Sequence, residues 1–191
     1  MTNNKYDTFK NKYSSKWGVS TQRENTVKTI IENYTGLKVN FTGLGAGSTE
    51  FYTGTAEENG KEKSAPDLQI EGTNIFIEVT GSFSKKTNDG DDIWIRPDKL
   101  NYACQHINEH DEYLAVQFAK TGTWYVMHVT PAFLQYGIQA HRNKTDFNDV
   151  FPHFDGSTER YIAIHYDPSY IKGLPELVQN IDATVQKKMT A

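Results

Sequence analysis

Ala65-Pro66-Asp67-Leu68-Gln69-Ile70, a turn at Gly72-Thr73-Asn74, and then Ile75-Phe76-Ile77-Glu78-Val79-Thr80-Gly81 form the stretch on which the fold turns. Both runs are short and rich in Ile, Val and Phe, and the turn between them has hairpin length, so two paired strands are predicted. A period of two sends Ile75, Ile77 and Val79 to one face and Phe76, Glu78 and Thr80 to the other. Glu78 therefore points away from the Ile/Val row. With Asp67 at the mouth of the first strand, the hairpin brings two carboxylates together. A pair of that kind suits a hard divalent cation, since Mg²⁺ commonly takes one or two carboxylates and completes its shell with water and phosphate oxygens.

Upstream, Thr21-Gln22-Arg23-Glu24 fits a capping box, and Val27, Ile30, Ile31 and Tyr34 follow at helical spacing until Gly36. A helix over roughly 21–35 is expected. Glu24 then has two readings, a cap of its own helix or a contributor to the carboxylate site. Leu37–Thr42 alternates as a strand. The next segment, Gly43-Leu44-Gly45-Ala46-Gly47-Ser48-Thr49, lacks the Gly-Lys-Ser/Thr ending of a P-loop and the spacing of a dinucleotide fingerprint. Its free backbone N–H groups suit a nucleic-acid phosphate, with Ser48 and Thr49 as hydroxyl donors. Residues 55–65 read as a charged mobile insertion, and Asp89-Gly90-Asp91-Asp92 as a turn.

Downstream, Ile93-Trp94-Ile95 reads as a strand, and Arg96-Pro97-Asp98-Lys99 opens a helix with proline in its first turn. Leu100, Ala103, Cys104 and Ile107 form its apolar stripe; Lys99, Ala103, His106 and His110 share a neighbouring one. Tyr113–Phe118 and Trp124–Thr130 read as paired closing strands, and Arg160–Tyr166 as a later one. Cys104 stands alone in the chain, which excludes an internal disulfide or a cysteine zinc cluster, and it is expected to be a small buried residue.

Pro66-Asp67 followed by Glu78-Val79 resembles the core motif of the PD-(D/E)XK nucleases, with Thr80 where that family usually has lysine. From Arg23 to Thr130 the order of elements is similar to the Holliday-junction resolvase and restriction-endonuclease branch. The resemblance implies an α/β fold, a restriction-endonuclease-like mixed central β-sheet flanked by helices. It also implies Mg²⁺- or Mn²⁺-dependent endonuclease activity on DNA, branched or as a restriction-type duplex substrate, commonly by a homodimer. Asp67, Glu78, the Val79 carbonyl and Glu24 are the implied metal ligands. Glu24, Asp67, Glu78, Thr80 and Lys99 are the implied catalytic residues, Lys99 supplying the charge that Thr80 lacks. Ser48, Thr49, Lys85, Lys86 and Arg96 are the candidate substrate contacts. The expected organisation is a basic polar arm over 1–20, a nuclease-like core over 21–144, and a C-terminal extension over 145–191 packed on the core.

Two rival readings stand beside this one. Thr80 is compatible with an inactive nuclease fold kept for binding nucleic acid or protein. His106-Ile107-Asn108-Glu109-His110 spells H-x-x-E-H, a pattern that places two imidazoles one helical turn apart in certain zinc peptidases.

Charge is unevenly spread. Residues 1–38 carry seven Lys/Arg against three Asp/Glu, whereas the whole chain has 20 against 24. An undifferentiated basic coat for nucleic acid is excluded, but an arm bearing Lys5, Lys10, Lys12, Lys16 and Arg23 can track phosphates. The 191 residues, 37% of them hydrophobic, suit one core. No apolar run approaches the length of a membrane span, and Met1-Thr2-Asn3-Asn4-Lys5 has no signal-peptide core, so a cytoplasmic protein without a membrane partner is expected.

Overall fold

The computed structural model describes residues 5–43, 58, 60, 62, 64–81, 92–110, 112–118, 124–154, 157–165, 171, 172, 179 and 181–186. The first helix, α1, runs Lys5–Thr35 without interruption. This corrects the expected start near residue 21. Thr21 lies inside the helix, its carbonyl accepting a bond from the Asn25 side chain at 2.8 Å, so the capping-box reading fails. The polar run before it contains no proline, and nothing in it stops the helix from propagating. The boundary drawn at 20/21 therefore falls within α1. Glu24, Val27 and Ile31 form its buried stripe, whereas Tyr34 is exposed.

Three antiparallel strands follow, β1 (Val39–Phe41), β2 (Leu68–Ile70) and β3 (Ile75–Gly81). The β2–β3 turn closes through a bond from the Thr73 N–H to the Ile70 carbonyl at 3.1 Å, with Gly72 at φ 76° in the position that demands a left-handed residue. The chain then forms β4 (Ile93–Ile95) and α2 (Pro97–Gln105) before returning as β5 (Glu112–Phe118), parallel to β3. Next come β6 (Trp124–His128), antiparallel to β5, and α3 (Pro131–Asn143). The last strands are β7 (Phe147–Val150), β8 (His153–Phe154), β9 (Ser157–Thr158), β10 (Tyr161–Ile164) and β11 (Ile171–Lys172). The main sheet is mixed and six-stranded, in the order β1-β2-β3-β5-β6-β11.

The alternation read from β3 is what builds two cores. Ile75 and Ile77 are fully buried with Val27 and Ile31 of α1, and Val79 packs against them. On the other face Phe76 packs with Leu100, Tyr102 and Ala103 of α2, Tyr113 of β5 and Phe133 of α3. Each fully buried Ile or Phe contributes about 1.5–3 kcal/mol, so a one-residue slip of β3 would forfeit both faces at once. Glu78 belongs to the α2 face.

Strand β4 pairs antiparallel with β10, which also pairs with β7, in a separate three-stranded sheet. Residues from 145–191 thus supply strands to both sheets, with β11 at the edge of the main one. Cys104 is exposed rather than buried. Tyr102 takes the inward position, and α2 buries Lys99, Leu100, Tyr102 and Ala103. No helix among the described residues is long and apolar enough to cross a membrane.

Candidate active site

The hairpin register places Leu68 opposite Ile77, which brings Asp67, just before β2, alongside Glu78 in the middle of β3. Asp67 is fixed twice. Its carbonyl accepts the Thr42 N–H at 2.9 Å, and its carboxylate Oδ2 accepts the Val79 N–H at 2.8 Å. Both acids are nearly inaccessible, Asp67 at 7% and Glu78 at 6% exposure. Across the parallel pair Glu78 faces Ala115, a small residue that leaves room above the strand for side chains arriving from α2.

Lys99 uses that room. Pro97 starts α2, Lys99 lies in its first turn, and the ammonium reaches back to within 2.7 Å of Glu78 Oε2. That contact is a charge contact rather than a well-aligned hydrogen bond, while Lys99 Nζ donates an aligned one to the Ala65 carbonyl at 2.9 Å. At 6% exposure Lys99 is as buried as its partner. Although β4 belongs to the other sheet, α2 begins over the hairpin and so brings the lysine to Glu78.

Burial and neighbouring charge shift both members of the Glu78–Lys99 pair. Burial, then the Asp67 charge, pushes the Glu78 carboxyl up to about 8, with Lys99 and Arg96 pulling the other way. Burial pulls the Lys99 ammonium down, but Glu78 and Asp67 outweigh it and hold it above its ordinary value. The two groups titrate as a pair. Burial and Asp67 favour the proton on Glu78, and the Lys99 ammonium favours its loss.

The remaining expected residues distribute as follows. Thr80 is half-buried two residues beyond Glu78 on the same face. Arg96 precedes α2, pairs with Asp98 at 3.2 Å and is half-exposed. Burial lowers its proton affinity, and Asp98, Glu78, Tyr161 and Asp67 together more than restore it, so its guanidinium looks onto the acid pair. Glu24 is 3% exposed on the stripe of α1 that packs on the opposite face of β3, so it approaches the strand from the other side. Ser48, Thr49, Lys85 and Lys86 lie outside the described residues, as do the turn at 89–91 and most of 55–65. The side chains of Lys5, Lys10, Lys12 and Lys16 lie outside them as well.

The two imidazoles of the H-x-x-E-H segment stack 5.8 Å apart, linked by a bond from the His110 N–H to the His106 carbonyl at 3.1 Å, but they lie beyond the helix. Helix α2 stops at Gln105, and His106 caps it with φ −103°. Both ring nitrogens of His106 face carboxylates, Glu109 and Glu62, each at 2.8 Å. Those bonds tie the segment before β2 to the end of α2, and Ser64 Oγ adds another by donating to Asp98 at 2.8 Å. No group of three or more His, Cys, Asp or Glu side chains suited to a metal occurs among the described residues.

One site residue was not foreseen. Tyr113 pairs with Phe76 in the β3–β5 register and so lies on the face of Glu78. It is 1% exposed, and its hydroxyl is buried without a hydrogen-bond partner. Burial, then the charges of Glu78 and Asp67, pushes its ionisation far above the ordinary range. The signal for it was alternation within β5, which places Tyr113 and Ala115 on one face, combined with a register that only the tertiary fold supplies. No family model, curated protein or solved structure matches this chain.

Proposed function

We propose that the chain is a divalent-metal-dependent DNA endonuclease with a restriction-endonuclease-like core. The observation that carries this reading is the buried Asp67–Glu78–Lys99 cluster, where the β2–β3 hairpin meets the first turn of α2. The order α1, antiparallel β1–β3, α2, then a strand parallel to β3 agrees with the resemblance stated above.

The residues fit a small hard cation. The Asp67 charge is the largest one raising the proton affinity of Glu78, and a divalent ion would relieve that repulsion. Asp67, Glu78 and the Val79 carbonyl are the ligands from this chain, and Glu24 contributes only by reaching round the strand end. When bound, the metal would acidify water and polarise the scissile phosphate. Asp67 is oriented by its bond to the Val79 N–H, and Glu78 would hold the ion as a carboxylate. Lys99, beside Glu78, would offer the cation that Thr80 cannot be. The test is incubation of the purified chain with duplex, four-way-junction and single-stranded DNA in Mg²⁺, Mn²⁺ and EDTA; cleavage that EDTA abolishes supports the reading.

A second reading, an inactive nuclease-like fold that binds nucleic acid or protein, is favoured by one observation. Lys99 Nζ already stands 2.7 Å from Glu78 Oε2, where the family's metal would sit. If that pair is permanent, the chain binds DNA equally with or without divalent metal and leaves it intact.

A further inference from the structure

Three described residues ahead of β2, Glu62, Ser64 and Ala65, are each bonded to α2 or its cap. Ser64 Oγ donates to Asp98 at 2.8 Å, and the Ala65 carbonyl accepts from Lys99 Nζ at 2.9 Å. Glu62 reaches the other end of the helix, where the Tyr102 hydroxyl donates to its Oε2 at 3.4 Å and His106 Nε2 stands 2.8 Å from its Oε1. The second ring nitrogen of His106, Nδ1, stands 2.8 Å from Glu109 Oε2. A neutral imidazole has one N–H and one lone pair, and a carboxylate only accepts, so two such contacts require a ring that carries both protons. Ser64 sits at φ 63°, a left-handed conformation uncommon for a residue with a side chain. Such a backbone persists where the contacts around it hold it in place, and here those contacts run to α2.

We infer that His106 is a pH-sensitive latch: as an imidazolium it bridges Glu62 to Glu109 and clamps the segment before β2 onto the end of α2, and as a neutral ring it lets Glu62 go. The neutral ring keeps one donor, and Glu109, three residues away in the chain, takes it at the lower entropic cost. Among the described residues, the titratable groups facing the ring are Glu62, Glu109, the Tyr102 ring stacked 4.4 Å away on α2 and the His110 ring stacked at 5.8 Å. The Glu109 bond, helped by Glu62, outweighs burial and holds the ring's proton more tightly than the ordinary 6.5. The clamp is therefore fully engaged below 6.5 and is lost as pH rises through the higher folded value. Asp67 follows two residues after the Lys99 contact at Ala65, so the latch bears on the segment that delivers one acid of the site. It needs neither metal nor nucleic acid, and stands or falls apart from the nuclease reading.

The experiment is made on the full chain in EDTA, from about pH 6 to about pH 9, with two readouts. Nitrogen-resolved NMR of the histidine rings reports the protons on His106. Amide exchange of Ala65, whose N–H bonds to the Glu62 carbonyl at 3.2 Å, reports the clamp once it is corrected for the intrinsic rate and referred to β3. His106 should carry two ring protons at about pH 6 and titrate above 6.5. Ala65 protection should fall about two- to fivefold over the same titration, the size of change that exposed ion pairs produce. Glu62→Gln keeps a hydrogen-bonding side chain but removes the charge, so it should lower the His106 titration and make Ala65 protection independent of this step. Glu109→Gln should also lower the titration yet keep the step at Ala65, since Glu62 is then the ring's remaining carboxylate. A single ring proton at about pH 6, or Ala65 protection that does not change with pH, would overturn the latch. So would a step at Ala65 that survives unchanged in Glu62→Gln, because it would then belong to another group.

Discussion

Replacing Lys99 by methionine keeps most of the buried stem and removes the charge 2.7 Å from Glu78. The consequence for stability depends on pH, and the sign follows from the Glu78 carboxyl. That group binds its proton more tightly in the folded chain, up to about 8, than in the unfolded one, near the ordinary 4.5. Its stabilising contribution is fully present below the unfolded value and is lost as pH rises towards the folded one, at about 1.4 kcal/mol per pH unit. Above about 8 the loss stops in the unaltered protein, because Lys99 lets the folded carboxylate ionise. Without the ammonium the folded carboxyl keeps its proton to higher pH, and stability continues to fall. Urea melts in EDTA from about pH 6 to about pH 9.5 should therefore show two curves close together below pH 7 that diverge above pH 8 by about 1.4 kcal/mol per unit. A constant offset of about 3–5 kcal/mol at every pH, the cost of stranding a permanently ionised partner, would refute the shared-proton account.

Three further outcomes follow from the same geometry. In metal-dependent cleavage, Lys99→Ala should lower the rate by about a hundredfold or more with little change in metal affinity by calorimetry, and Thr80→Lys in that background should restore part of it. Tyr113→Phe removes a buried hydroxyl without a partner, so its thermal and urea melts should show a gain of about 1 kcal/mol; a comparable loss would mean that the hydroxyl is bonded in solution. His106→Ala removes two bonds that hold Glu62 and Glu109; calorimetry should show no zinc binding by the unaltered protein, and stoichiometric zinc lost in this variant would revive the peptidase reading.

The acid pair was legible because a period of two is a local property: Ile75, Ile77 and Val79 could not share a face with Glu78. Lys99 was legible from Pro97, which fixed the first turn of α2. The face of α2 was not. Apolar residues at 100, 103, 104 and 107 suggested one stripe, but the Tyr102 ring stacks on His106, 4.4 Å between centroids, and lies 6.5 Å from Tyr113. That packing turns Cys104 outward. The partner of β4 was equally out of reach, since β10 lies some 65 residues later and nothing local to Ile93–Ile95 distinguishes one sheet from another. The first half of α1 gave no apolar periodicity to read; among the described residues, Val27 and Ile31 are the α1 side chains in the core. Tyr113 joined the site through register alone.

The most direct test of the central claim is cleavage of labelled duplex and junction DNA during a Mg²⁺ and Mn²⁺ titration, comparing the unaltered chain with Asp67→Asn and Glu78→Gln, all three shown to be folded by melting. The account predicts that strand scission rises with metal in the unaltered chain and is abolished in both variants. Cleavage at the unaltered rate by either folded variant would contradict it.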